Sequence, residues 1–239
     1  MGKPLPVNIS AWSFSRLDVY EKCPLQAKLK YIHKIPEPDR PLPPGKDEHA
    51  NERGSRVHDS AEFYVRNNVE LIPELRTFKA EFHRLRELFR EGKVSLEGEW
   101  GFDKDWEPIQ YNSASIWLRV KLDALVHLSK THGVVIDYKT GRRHGNEIKH
   151  AEQTQLYVVA TFLRYPELET IDVELWYTDQ NELAHMRFMR HQGMRFFTTF
   201  NNRGKALTSA TDFKPKANIF SCKWCPYHPN RSGDCQYGV

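Results

Sequence analysis

The chain has 239 residues, 39% of them hydrophobic and 28% charged, with a formal net charge of +4. That length allows one large domain with a sizeable core, and the composition excludes a membrane-spanning or disordered chain. So mild a charge does not by itself announce a nucleic-acid binder; a basic surface has to come from local clustering.

The segment Met1–Pro6 has no apolar run after its lysine, and Pro6 stands where a myristoylation motif needs Ser or Thr. It therefore reads as neither a secretory signal nor a lipid anchor. The expectation is a cytoplasmic protein (host cytoplasm if viral) with reduced thiols. From a cap at Ser13 or Ser15, the spacing of Leu17, Tyr20 and Cys23 predicts a short helix interrupted at Pro24. Apolar residues resume at Leu25, Leu29 and Ile32. Pro36, Pro38, Pro41, Pro43 and Pro44 make the stretch from Ile35 to Gly45 an extended connector. Helices are predicted over Asn51–Asn67 and Pro73–Gly92, the second with Leu75, Phe78, Phe82, Leu85 and Phe89 along one stripe.

The hydrophobic period then changes to two. Between Ile116 and Leu128, Leu118, Val120, Leu122, Ala124, Val126 and Leu128 are predicted to face one way, and Arg119, Lys121, Asp123 and His127 the other. A turn at Ser129–Gly133 leads into a second strand, Val134–Lys139, ended by Thr140-Gly141. A helix fits Glu147–Arg164 before Pro166. Strands follow at Thr170–Thr178 and Leu183–Phe188, then a helix over Gln192–Leu207 and a cysteine-bearing tail. With no internal repeat and no break in composition, residues 1–239 read as one domain. The element order predicts an α/β fold with a central mixed sheet flanked by helices.

Asp137 and Lys139 are two apart in a strand, so their side chains share a face. Asp123 lies on the neighbouring hairpin strand, so two carboxylates and an ammonium can converge. A hard divalent cation such as Mg²⁺ takes one or two carboxylates and leaves its other positions to water and substrate phosphate. The plain alternative is a solvated ion pair worth about 0–1 kcal/mol. On the next helix, Gln153 and Tyr157 lie one turn apart on one face; a half-buried core role also suits Tyr157. His58 sits in the Asn51–Asn67 helix, and Arg142, Arg143 and Lys149 crowd just past the acidic strand, where they can contact phosphates.

Of the four cysteines, Cys222 and Cys225 form a C-x-x-C, Cys235 follows, and Cys23 lies near the other end. Four thiolates suit a tetrahedral zinc or a [4Fe–4S] cluster equally well. If Cys23 joins the C-terminal trio, residues 13–35 and 213–235 are the cluster-binding segments of the domain.

In chain order the sequence presents Ser13-Phe14-Ser15-Arg16-Leu17, Tyr20-Glu21-Lys22-Cys23-Pro24, Gly54…His58, Leu122-Asp123, Val135-Ile136-Asp137-Tyr138-Lys139-Thr140-Gly141, Gln153…Tyr157, and Cys222…Cys225…Cys235. This series resembles the RecB-like nucleases of the PD-(D/E)XK superfamily. It looks most like the iron–sulfur branch, which includes CRISPR-associated exonucleases and AddB-type nuclease domains. The resemblance implies a restriction-endonuclease-like core over residues 54–164. It implies Mg²⁺ or Mn²⁺ bound by His58, Asp123, Asp137 and the Tyr138 backbone carbonyl, with Lys139 positioning the hydrolytic water. Gln153 and Tyr157 would support the catalytic residues and contact DNA, and Cys23, Cys222, Cys225 and Cys235 would hold a [4Fe–4S] cluster. Leu122 stands where the family's first acidic motif has proline.

The reading is a metal-dependent DNA exonuclease in recombination, repair or CRISPR-type processing, with DNA and proteins of those processes as partners and no membrane. Its competitors are a structure-selective endonuclease or nickase, a non-catalytic DNA-binding module stapled by zinc, and a redox-responsive protein.

Overall fold

Six strands form one sheet in the computed structural model, which describes residues 7–239. Numbered along the chain they are β1 (Val94–Phe102), β2 (Pro108–Ile109), β3 (Leu118–His127), β4 (His132–Lys139), β5 (Thr170–Tyr177) and β6 (Glu182–Met189). In space the order is β2-β1-β3-β4-β5-β6. Every pair is antiparallel except β4 and β5, which run parallel. A parallel pair needs a crossover, and helix Glu147–Arg164 supplies it.

The helices are α1 (Phe14–Lys22), α2 (Pro24–Ala27), α3 (Ala50–Asn67), α4 (Lys79–Arg90), α5 (Glu147–Arg164), α6 (Arg190–Gly193), α7 (Phe197–Ser209) and α8 (Ile219–Cys222). The Ser13 hydroxyl caps α1 by accepting the Arg16 N–H. Pro24 opens α2 at its first position, where a missing N–H is harmless. Helix α3 starts where Glu52 accepts the His49 N–H and ends at Asn68 in the left-handed region, φ 60°.

Both faces of the sheet are covered. On one, Leu118, Leu122, Leu125 and Val135 pack with Leu156, Val159 and Phe162 of α5 and Phe200 of α7. On the other, Leu96, Ala124, Val126 and Ile136 pack with Val57 and Ala61 of α3 and Phe82 and Leu85 of α4. This is the mixed sheet flanked by helices that the element order predicts. Among the described residues no helix is long and apolar enough to cross a membrane. The segment Met1–Pro6, read above for targeting signals, lies outside the described residues.

Three expectations are corrected. The sequence reading has no strand before Ile116, yet β1 pairs with β3 along nearly its whole length. Gly98 interrupts the alternation of Val94, Leu96, Trp100 and Phe102 and hides the strand. Next, β3 does not present one apolar face throughout. Leu118, Val120 and Leu122 belong to the α5 side, whereas Ala124 and Val126 belong to the α3–α4 side. The same exchange occurs in β1, between Val94 and Leu96 on one side and Trp100 and Phe102 on the other. It centres on Glu97, whose φ of 48° is left-handed and reverses the pleat while the register is kept. Finally, two long helices are segmented. Pro73–Phe78 is a 3₁₀ turn leading into α4, and the last helix breaks into α6, a 3₁₀ turn at Met194–Phe196, and α7.

Candidate active site

At the face exchange of β1 and β3 lies a cleft where residues of α3, α5 and the central strands meet. It is lined by Gly54, Ser55 and His58 of α3, Glu97 of β1, Lys121 and Asp123 of β3, Asp137 to Lys139 of β4 with Thr140, and Gln153 and Tyr157 of α5. The residues singled out in the sequence for catalysis and metal binding, from His58 to Tyr157, therefore meet in one place.

Asp123 is the hub. Its Oδ1 lies 2.9 Å from His58 Nδ1, and its Oδ2 accepts the Tyr138 backbone N–H at 2.6 Å. Asp137 is almost fully buried, and its Oδ2 lies 2.5 Å from Lys139 Nζ. That contact is an ion pair, so the buried Oδ2 faces the Lys139 ammonium. Lys139 Nζ also donates to Gln153 Oε1 at 2.7 Å, and Gln153 Nε2 donates to the Tyr157 hydroxyl at 2.5 Å. The i, i+4 pair on α5 thus fixes the lysine head group. A buried carboxylate is costly unless a cation pairs with it, and here the Lys139 ammonium does so.

The electrostatics agree with that need. Burial pushes the Asp137 carboxyl up, the Lys139 charge opposes it, and the Asp123 charge reinforces it. Burial pulls the His58 imidazole down, but its hydrogen bond to Asp123 and the charges of Asp123, Asp137 and Glu97 outweigh that and raise it to about 8. The Tyr157 phenol lies well above its ordinary value because it is buried near Asp137 and Asp123, so it stays neutral.

Glu97 was absent from the sequence reading. Its carboxylate comes within 4.8 Å of ligand atoms on both His58 and Asp123. Burial pushes its carboxyl up, and Lys121 Nζ at 2.7 Å partly compensates. No motif marks it. Only the left-handed backbone turns it into the cleft. Together the donors, three carboxylates, one imidazole and the Tyr138 carbonyl, are oxygen-rich and suit a hard divalent cation.

The four cysteines also meet. Cys23, Cys222, Cys225 and Cys235 line one cavity with Gln26, Leu29 and His228. The Lys216 N–H points at Cys23 Sγ at 3.5 Å. Burial pushes the Cys225 thiol up, against a backbone hydrogen bond from Tyr227, and the other three cysteines add to it. Of the basic cluster, Arg143 pairs with Glu182 at 2.9 Å and Lys149 with Asp18 at 3.0 Å. Arg142 is exposed and makes no ion pair among the described residues.

A protein-family model for the PD-(D/E)XK nuclease superfamily matches residues 11–229. The chain belongs to the PD-(D/E)XK nuclease superfamily. Asp137-Tyr138-Lys139 has the Asp-x-Lys pattern that appears in that name. Nucleases of this superfamily use divalent metal ions, and the donor set of the cleft fits one. Among solved structures the chain is similar to the crystal structure of SSO0001, at 14% identity and a TM-score of 0.40, covering 97% of this chain and 89% of that one. It is also similar to an alkaline exonuclease, LHK-Exo, from Laribacter hongkongensis, at 13% identity and a TM-score of 0.34, covering 84% and 87%. No curated protein matches the sequence significantly.

Proposed function

We propose that this superfamily member is a DNA exonuclease that works with Mg²⁺ or Mn²⁺ held by His58, Asp123, Asp137 and the Tyr138 carbonyl, with Glu97 as a further carboxylate. The observation that carries the reading is the convergence of the buried Asp137–Lys139 pair with His58, Glu97 and Asp123 in one cleft. The exonuclease mode rests on the resemblance of the motif series to RecB-like exonucleases.

A divalent ion bound here supplies Lewis acidity toward the phosphodiester and lowers the pKa of water. The protein does the rest by position. The Lys139 ammonium, held toward the cleft by Gln153, orients the attacking water and offsets charge developing on the phosphoryl oxygens. Gln153 is itself oriented by Tyr157, whose neutral hydroxyl accepts from its amide. The His58–Asp123 contact and the Tyr138 N–H fix both oxygens of Asp123, so its carboxylate cannot rotate away.

The convergence of the four cysteines on one cavity suits a shared metal centre, read here as a [4Fe–4S] cluster with zinc as the alternative. A zinc ion holds sulfur at about 2.3 Å, so four tetrahedral thiolates would sit about 3.8 Å apart. Here the four sulfurs surround one cavity, and the resemblance of the motif series to the iron–sulfur branch favours the cluster. The cluster joins residues 13–35 to 213–235 and serves as a staple.

The test is hydrolysis of linear and circular DNA by anaerobically purified protein with Mg²⁺ or Mn²⁺, beside Lys139→Ala. Loss of linear DNA in the wild type alone supports an exonuclease. Cutting of circles as well makes it an endonuclease or nickase, and equal inactivity of both proteins with every metal overturns the reading.

A further inference from the structure

The cysteine segment does more than close a cavity. Cys222 and Cys225 face inward, so the residues between them, Lys223 and Trp224, are forced outward. Trp224 is 68% exposed and Phe220, one turn earlier, 81%. Lys223 Nζ lies 5.2 Å from the centre of the Trp224 ring. Two large aromatic rings held in water by a constrained turn are costly to the fold alone and mark a contact surface.

The charge around them identifies the partner. Between Asp212 and Asp234 the chain has Lys214, Lys216, Lys223 and Arg231 and no acidic residue. Cations interleaved with exposed aromatic rings suit a polyanion that offers flat faces. Single-stranded nucleic acid offers both, whereas in a duplex the base faces are stacked away. The surface also leads toward the cleft. A groove bordered by Lys22 and Asn218 on one side and Ile148 and Lys149 on the other runs from the cysteine segment to the start of α5; the carboxylates in it, Asp18, Glu21 and Glu152, are all ion-paired, to Lys22, Lys149 or Arg203. Ile148 is 80% exposed there, and the next turn of α5 delivers Gln153 to the catalytic cleft.

We propose that Phe220 and Trp224, with Lys216 and Lys223, form a stacking platform that holds single-stranded DNA and delivers it across α5 to the cleft. The proposal rests on the nuclease reading for its substrate, and it names the form of DNA engaged: a single strand or a single-stranded end.

The experiment uses the full chain carrying Asp137→Asn, so that DNA is bound but not cut. Fluorescence anisotropy with fluorescein-labelled oligothymidylate is compared with a blunt duplex. Trp224→Ala and Phe220→Ala should each weaken single-strand binding at least about fivefold, the loss of one stacked base. Blunt-duplex affinity should change little, and Trp224→Phe should retain most of the binding because it keeps a ring. Unchanged single-strand affinity in both alanine variants overturns the platform. So does an equal loss on both DNA forms, which indicates phosphate contact or a damaged fold. A self-association lost in Trp224→Ala with DNA affinity unchanged assigns the surface to a second copy instead. Single-strand binding that depends on Trp224, in a protein whose wild type hydrolyses no DNA, would overturn the nuclease reading and leave the platform standing.

Discussion

At the scale of single residues, the cleft depends on side chains whose neighbours leave them no alternative. Lys139 is tied to Gln153 and lies against Asp137. Lys139→Ala should therefore reduce the hydrolysis rate by about 10²–10³-fold while leaving the fold intact, judged by single-turnover rates beside a thermal melt. Glu97 makes a contrasting case. A non-glycine residue at φ 48° stores backbone strain of about 1 kcal/mol. Glu97→Gly should raise the melting temperature in EDTA and weaken Mn²⁺ binding measured by calorimetry. A variant that gains neither stability nor a weaker metal site would show that the strain has no bearing on the ion. The two residues also differ in how visible they were. The Asp137–Lys139 pair is legible because a strand places residues two apart on one face, whatever surrounds them. Glu97 is not, because its direction follows from one left-handed residue that no alternation encodes.

At the scale of elements, long regular patterns translated well and interrupted ones did not. The bounds of α5 match the expectation of Glu147–Arg164, since the apolar stripe is unbroken and Pro166 stops it. The strand β1 was hidden by a glycine, Gly98, and another glycine serves close packing. Where α7 crosses the first core, a methyl on Gly204 would fall 2.6 Å from the Trp12 ring and 2.8 Å from Trp117. Trp12, Trp106 and Trp117 pack edge-to-face and cannot yield. Gly204→Ala should cost about 1–3 kcal/mol in chemical denaturation. On β5, Arg187 hydrogen bonds outweigh burial and, with His132, hold Asp172 down to about 2, against an ordinary 3.8. A folded value below the unfolded one means its stabilisation is complete above about pH 4 and is lost as pH falls toward 2. An acid titration of stability should thus be steeper for the wild type than for Asp172→Asn over that window; coincident curves would remove Asp172 from the account.

At the scale of the whole molecule, the sheet with helices on both faces followed from the order of elements alone. How the two ends meet was legible only through the family resemblance, because the 198 residues between Cys23 and Cys222 carry no local signal of their approach. Their convergence on one cavity implies long loop closure through whatever the thiolates bind. Protein purified without oxygen should contain iron and labile sulfide. Cys23→Ser and Cys222→Ser should each lose that iron and melt at lower temperature. Zinc in the wild type with no sulfide would replace the cluster by a mononuclear ion.

The same convergence has a consequence in time. Chains are synthesised at about 5–20 residues per second, so roughly 10–40 s separate the appearance of Cys23 from that of Cys222. Throughout that interval the first thiol waits on a growing chain while the nuclease core between them is being made and can fold. Cys235, the last of the four cysteines, arrives later still. The proposed cluster would therefore assemble only after the catalytic residues are made, and a chain interrupted before Cys235 would carry the cleft without it.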